Sequence, residues 1–330
     1  MRTVILTESE LRQCIDLDSE AIQVVADAFA VLAKGDAIMP PILRLDIKEH
    51  NGEVDVKTAY LRGFDSFAVK ISPGFFDNPS LGLPSVSGLM VLISAKTGQT
   101  EALLLDNGYL TDIRTAAAGA VAAKYLAPQR CTTVGVIGAG TQARLQMQGL
   151  HLVRPYKRLL VWARDRAKAE RYAQEMGNKL PVETVVVDVA QNVVAESDVV
   201  VTTTPAKDPV ISADCLHPGL HITAMGSDAE DKNELDPQIV ASANLFVCDR
   251  TSQSAHLGEL HHAIECGTVS EGFSPVEIGQ LVAGTSLGRT SADQITVCDL
   301  TGTGAQDTAI AVVAHRKALN LGFGTEIVHG

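Results

Sequence analysis

The stretch GVIGAGTQA, residues 135–143, decides the fold. An apolar run ending at Ile137 leads into Gly138-Ala139-Gly140-Thr141-Gln142-Ala143, a G-x-G-x-x-A spacing at the mouth of a helical pattern. Gly138 permits a tight turn and Gly140 lets the backbone approach a pyrophosphate. Thr141 and Gln142 open the helix whose N–H groups would face it, and Ala143 keeps that helix close to the strand. Two glycines alone are a weak signal. Here they follow a strand, open a helix and precede a second apolar strand, RLLVWAR, which is the context a dinucleotide turn requires.

At the end of that second strand the acid that usually holds the adenosine ribose is displaced. Ala163 stands in its place, followed by Arg164 and Asp165. Arg164 suits a 2′-phosphate and so NADP, whereas Asp165 suits a ribose hydroxyl and so NAD. The missing acid tilts the reading slightly toward NADP, and both cofactors stay open.

Downstream, short β-rich runs alternate with helical patterns: VETVVVD, DVVVTTTP, HITAMG, NLFVCDR and ITVCDLT. This predicts a doubly wound α/β domain with a parallel sheet, its strands apolar on both faces. Upstream the texture changes. A helix over roughly Ser19 to Lys34 is followed by alternating strands, ILRLDI, GEVDVKTAY, FAVKIS and GLMVLISAKTG, the last turning at Thr97-Gly98 into EALLLD. A small-residue helix, IRTAAAGAVAAKYLA, then enters the dinucleotide domain. After the glycine pair of TGTGAQD a final helix, TAIAVVAHRKAL, is apolar nearly all round and must be buried. The expected division is residues 1–128 with 304–330 as an α/β substrate-binding and dimerisation domain, and 129–303 as the Rossmann-type domain.

With 330 residues the chain is long enough for two domains, and a formal net charge of −12 excludes the basic surface that nucleic acid requires. No basic-then-apolar leader and no long apolar run is present, so the expectation is a cytoplasmic protein without membrane contact. Six cysteines are scattered without a C-x-x-C pair and read as reduced thiols. His261 and His262 in GELHHAIECG read as exposed helix residues, and no metal is expected.

Strand alternation sorts Arg44 away from Leu43 and Leu45, Asp55 and Lys57 away from Val54 and Val56, and Lys70 away from Val69 and Ile71. The polar face so formed is either a ligand surface or simply wet. Arg114 sits at the start of an apolar helix, where the dipole disfavours a cation. An anion bound there, a substrate carboxylate or a cofactor phosphate, resolves the conflict. Asp228, in AMGSDAEDKNELDP, falls just beyond a strand's carboxyl end, where open α/β sheets bind ligands. By chemistry alone, however, a loop aspartate is most often a turn residue.

Four segments taken together, DNGYLTDIRTAAAGAVAAKYLA, GVIGAGTQA, AMGSDAEDKNELDP and DLTGTGAQD, resemble in order the ornithine cyclodeaminase/μ-crystallin family over almost the whole chain. Within it the sequence is most similar to the cyclodeaminase-like members of ectoine-utilisation gene clusters, and also to imine reductases of the iminosuccinate type. The resemblance implies that Arg44, Lys70 and Arg114 meet the substrate carboxylate and that Asp228 is the catalytic acid, with Lys70 beside it in the catalytic set. It further implies that Arg114, Thr115, Thr204, Met225, Gly226, Lys232 and Gly302 contact the dinucleotide, and that the protein is a homodimer. Asp55 stands nearest to the glutamate that the family's cyclodeaminases carry. This shorter acid, with Lys57 two places on, departs from the ornithine-cyclising pattern and suits a second substrate carboxylate better than a distal ammonium. The leading expectation is NAD(P)H-dependent reduction of an imino acid, or the reverse oxidation of an amino acid. The alternatives are a cyclodeaminase using NAD catalytically and a non-catalytic, crystallin-like binding protein.

Overall fold

The computed structural model describes residues 2–329. The chain divides into two compact units, residues 2–114 with 303–329 and residues 115–302. The division falls within the helix Tyr109–Leu126, after Arg114.

The first unit is a mixed sheet carrying helices. Its strands run in the order Thr325–Val328, Arg2–Thr7, Thr100–Leu105, Leu89–Ser94, Ser66–Phe75 and Gly52–Leu61, and both Ala37–Ile38 and Leu43–Ile47 pair with the last of these. All neighbours are antiparallel except Arg2–Thr7 against Thr100–Leu105. The first helix of the predicted set is observed as Ser19–Ala33, started by Asp18, whose carboxylate accepts from the Ala21 N–H at 2.9 Å. The opening strand Arg2–Thr7, the helix Glu8–Cys14 and the closing strand Thr325–Val328 were not expected from sequence. The closing strand is exposed throughout and carries no burial pattern to read.

The final helix, Gly304–Asn320, begins earlier than the apolar pattern suggested. Thr303 and Gln306 form a capping box, so the glycine-rich segment passes straight into helix and Asp307 lies in its first turn. A Cβ on Gly304 would fall 2.4 Å from the backbone of Thr58, so glycine is what lets the helix start against the strand Gly52–Leu61. Thr308 fastens the same turn, donating to the Ala59 carbonyl at 2.7 Å and accepting from the Ala68 N–H at 3.0 Å.

The second unit is an all-parallel sheet in the order Glu183–Val186, Arg158–Trp162, Thr133–Ile137, Val199–Thr202, His221–Ala224, Thr296–Asp299, Leu245–Cys248 and Val276–Glu277. The order reverses between Thr133–Ile137 and Val199–Thr202, which is the switch point where such sheets bind nucleotides. Val199–Thr202 and His221–Ala224 are buried along their whole length, as a sheet covered on both faces requires.

Candidate functional site

The sequence left open whether the polar face of the first unit is wet, and the structure decides it. Lys57, Lys70, Asp55 and Arg114 are buried, while Leu43 and Leu45 are exposed at 62% and 56%. The alternation is as predicted, but the face with the charges is the covered one. The final helix lies on it and supplies the reason: Asp307, fully buried, presents Oδ2 to Lys70 Nζ at 3.1 Å and Oδ1 to Arg114 Nε at 2.8 Å. Arg114 also donates from Nη1 to Gln306 Oε1 at 3.0 Å. Lys57 is the direct cross-strand neighbour of Lys70. Neither Asp307 nor Gln306 stood out in the sequence, where both sit in a segment that reads as a glycine loop.

Burial, then the neighbouring Arg114 charge, pushes the Lys70 pKa down to about 7 despite Asp307. Asp307 is held below the usual carboxylate range: burial opposes its charge, but Arg114 and Lys70 outweigh that. Two cations therefore share one carboxylate in a dry setting, an arrangement that favours a further anion. Asp106, also unpredicted, accepts from the Leu110 N–H at 2.9 Å, and burial pushes its pKa up to about 6.

Arg44 is engaged with its own strand pair. It donates to Glu53 at 2.5 Å and Asp46 at 2.9 Å, and its Nη1 lies 3.8 Å from Asp55 Oδ1. That Asp55 oxygen is buried and accepts no hydrogen bond. The structure thus joins Lys70 and Arg114 through Asp307, and Arg44 with Asp55.

In the second unit, Gly138 has φ +116°, and its N–H donates to the Trp162 carbonyl at 2.8 Å. A Cβ there would approach Thr203 Oγ1 to 2.4 Å, so this glycine is required by the turn itself. Gly140 differs. It has ordinary extended backbone at φ −87° and is the N-cap of Thr141–Val153 without a side-chain cap, and a Cβ on it would meet no atom within 4 Å. Nothing in the protein demands glycine there. A pyrophosphate lying against the helix N-terminus would, and in this the turn fits a dinucleotide. Arg144 braces the turn from behind, donating to the carbonyls of Ala139 and Gly140 at 2.7 and 3.0 Å. Gln142 accepts from Gln146, and Ala143 is buried. Arg164 is exposed, and Asp165 caps the helix Arg166–Lys179 by accepting from the Lys168 N–H at 3.2 Å.

The carboxyl ends of the parallel strands are fastened by acids that sequence reasoning missed. Glu234, fully buried, accepts from Thr202 Oγ1 at 2.6 Å, from the Thr204 N–H and hydroxyl at 2.5 and 2.8 Å, and from the Gly226 N–H at 2.7 Å. Glu259 accepts from the Ser227 hydroxyl and from the N–H groups of Glu234 and Leu235 at 2.9 and 3.1 Å. Burial raises both pKa values, that of Glu259 further through the charges of Asp299 and Glu234. Asp249 accepts from the Gly302 N–H at 2.7 Å and from Thr301 Oγ1 at 2.9 Å. Thr204, Gly226 and Gly302 are thereby held at neighbouring strand ends, Met225 donates its N–H to the Thr202 carbonyl at 3.1 Å, and Thr115 lies beyond Arg114 on the helix Tyr109–Leu126. A charged run such as EDKNE reads as surface, so no sequence signal marked Glu234.

Asp228 lies two residues beyond Gly226 and is 43% exposed at its side chain, with Oδ1 2.7 Å from Lys232 Nζ. The two residues assigned separate roles in sequence thus form one ion pair. His261 and His262 depart from the exposed pair expected: their side chains are 27% and 14% accessible because both rings turn onto backbone carbonyls. Among the described residues, no helix is long and apolar enough to cross a membrane.

The sequence profile of the ornithine cyclodeaminase/mu-crystallin family matches residues 1–321. A protein of Rhizobium meliloti provisionally named a dehydrogenase is 56% identical, with 98% of each chain covered. An uncharacterized cyclodeaminase of Sinorhizobium fredii is 53% identical over 95% of each. The Δ1-pyrroline-2-carboxylate reductase of Thermococcus litoralis, solved with NADH and L-proline, superposes with TM-score 0.93 at 32% identity, over 98% of this chain and 100% of that one. An archaeal alanine dehydrogenase dimer with bound NAD gives 0.93 at 34% identity, covering 100% of both. The iminosuccinate reductase of Paracoccus denitrificans with NAD+ gives 0.89 at 30% identity, also over 100% of both.

Proposed function

The chain belongs to the ornithine cyclodeaminase/mu-crystallin family, and on that premise we propose that it is an NAD-dependent enzyme reducing an imino acid to the amino acid, or catalysing the reverse oxidation, at the α-carbon. The observation that carries this reading is the buried triad in which Lys70 and Arg114 share Asp307. A substrate carboxylate brings the negative charge that the two cations favour, and both are strong donors to it. When bound, the dinucleotide supplies or accepts the hydride. Gly138, Gly140 and the first turn of Thr141–Val153 would hold its pyrophosphate. Asp228, paired with Lys232, is the group proposed to deliver the proton to the imine nitrogen in reduction and to take one from the amine in oxidation.

The cofactor proposed is NAD(H), because the solved relatives hold NAD+ or NADH. Arg164, exposed at the end of its strand, is the residue through which NADP would be accepted. A role in the breakdown of ectoine-derived amino acids belongs to the same proposal and rests on the sequence resemblance. The test is a screen of 2-oxo acids with ammonia, and of cyclic imines, following NADH absorbance. Steady consumption with one imine class supports the reductase, and no consumption with any of them overturns it.

A second reading, the cyclodeaminase, is favoured by one observation. Asp55 Oδ1 is buried with no donor, as an acceptor for a distal substrate ammonium would be. Release of ammonia from ornithine or lysine with NAD unconsumed would establish it in place of the first.

We also propose a homodimer formed through the first unit. Opposite its charged face the sheet is apolar and partly exposed, with Leu43 beside Val56, Val56 beside Ile71, and Val69 beside Val91. Ile38, Leu43 and Leu45 are all more than half exposed, a surface that a second copy would cover. Light scattering that gives the monomer mass would overturn this.

A further inference from the structure

The helix Glu259–Glu265 carries a group of side chains that the proposed reaction does not use. His261 Nε2 lies 3.9 Å from Glu265 Oε2, and His262 Nδ1 lies 4.0 Å from the same oxygen. All three ligand atoms lie within 4.8 Å of one another. The spacing explains the convergence, since Glu265 is one turn beyond both histidines and falls on their shared edge of the helix. Metal bonds of about 2.0–2.2 Å set tetrahedral ligand atoms roughly 3.4 Å apart. Glu265 is 68% exposed and has room to close the remaining distance.

A second observation points the same way. The other nitrogen of each ring is occupied by a backbone carbonyl: His261 Nδ1 lies 3.3 Å from Ala255 O, and His262 Nε2 lies 2.8 Å from Lys232 O. A carbonyl only accepts, so each of those nitrogens carries the hydrogen. In the neutral rings the lone pairs are therefore on His261 Nε2 and His262 Nδ1, the two atoms that face Glu265. Histidine ligands of metals are oriented by this kind of outer hydrogen bond. Two imidazoles and a carboxylate suit zinc and its neighbours better than magnesium or calcium, which take oxygen ligands.

The carbonyl that orients His262 belongs to Lys232, the partner of Asp228. The same loop is tied at Glu230 to His256, 3.0 Å away, and at Asp231 to Lys207, 2.7 Å away. We propose that His261, His262 and Glu265 bind one zinc-class divalent cation, and that the bound ion, by locking the His262 ring, tightens its hydrogen bond to Lys232 and steadies the Asp228–Lys232 loop. The site shares no residue with the proposed reaction, and its readouts are metal binding and loop protection.

The experiment is calorimetric titration of zinc chloride into chelator-treated full-length protein, paired with amide hydrogen exchange of the loop. The expected result is one saturable site per chain, weakened at least 10- to 100-fold in His261→Asn and in Glu265→Gln. Both variants should keep the metal-free protein's cofactor affinity. Exchange of residues 228–233 should slow with zinc in the wild type and not in His261→Asn. Exposed Cys266 follows Glu265 and is a competing soft ligand, so Cys266→Ser serves as the control and should bind zinc as the wild type does. Absent binding, binding that survives both substitutions, or binding lost in Cys266→Ser would overturn the site. Binding without slowed exchange would overturn its coupling to the loop.

Discussion

Asp307 Oδ1 lies 2.8 Å from Arg114 Nε, and both side chains are buried. The same carboxylate reaches Lys70, so one anion from the final helix holds two cations from the strands and from the junction helix. Removing it leaves two buried charges without compensation. Asp307→Asn should therefore destabilise the fold by about 3–5 kcal/mol, the range for breaking a buried pair from one side. Urea denaturation measures it, and a loss nearer the ~0–1 kcal/mol of an exposed pair would show that the triad is solvated in solution.

Lys70 is expected to make substrate capture pH-dependent. Its pKa is lowered to about 7, so in the free enzyme the ammonium is present below that pH and lost above it. If it holds the substrate carboxylate, kcat/KM should fall as pH rises through about 7, and Lys70→Arg should move that limb upward. The linked stability has the opposite sense. Between about 7 and the ordinary lysine value the unfolded chain binds the extra proton, so this site's contribution to stability grows with pH in that window. A kcat/KM profile flat from neutral to alkaline pH would remove Lys70 from carboxylate binding.

Gly140 is the position at which folding and cofactor binding are expected to separate. Its extended backbone accepts valine, and a Cβ there meets no protein atom within 4 Å. Gly140→Val is expected to melt within a few degrees of the wild type and to lose NADH binding by fluorescence titration. Undiminished affinity in the folded variant would mean that the turn does not grip the pyrophosphate.

Asp228 is expected to contribute as a positioned acid-base group, on the order of 10²- to 10⁴-fold in kcat. Asp228→Asn should show that loss with near-normal NADH affinity. Since the substitution also breaks the pair with Lys232, Lys232→Met is the control. If both variants lose kcat equally, the ion pair matters and the acid does not. Near-full turnover in Asp228→Asn would reduce the residue to a loop contact.

Lys57 is buried and lies directly across the ladder from Lys70. A cation there suits a substrate with a second carboxylate. Lys57→Met should raise KM for a dicarboxylic imine far more than for a monocarboxylic one. Equal effects on the two would assign Lys57 to the fold.

What the sequence determined by itself is what depends on near neighbours. The G-x-G-x-x-A turn was legible because strand, turn and helix follow one another directly, and the Val-rich runs because a doubly covered strand needs apolar residues at every position. The order of the sheet, by contrast, places Thr133–Ile137 beside Val199–Thr202, a pairing made by residues far apart in the chain.

The candidate site divides along the same line. Arg44, Asp55, Lys57, Lys70 and Arg114 were visible as polar residues interrupting apolar patterns, but whether they faced water or a ligand was not. The tertiary structure lays the final helix across the sheet and brings Asp307 against Lys70, so that Lys70 is buried rather than wet. Glu234 and Glu259 show the same limit in the second unit. Glu234 looks like a surface acid among charged neighbours and Glu259 like one at the head of a short helix, yet both are buried because N–H and hydroxyl donors converge on them from separate strand ends and loops. A charge can be buried only where its partners are supplied, and here those partners come from segments that sequence periodicity cannot connect.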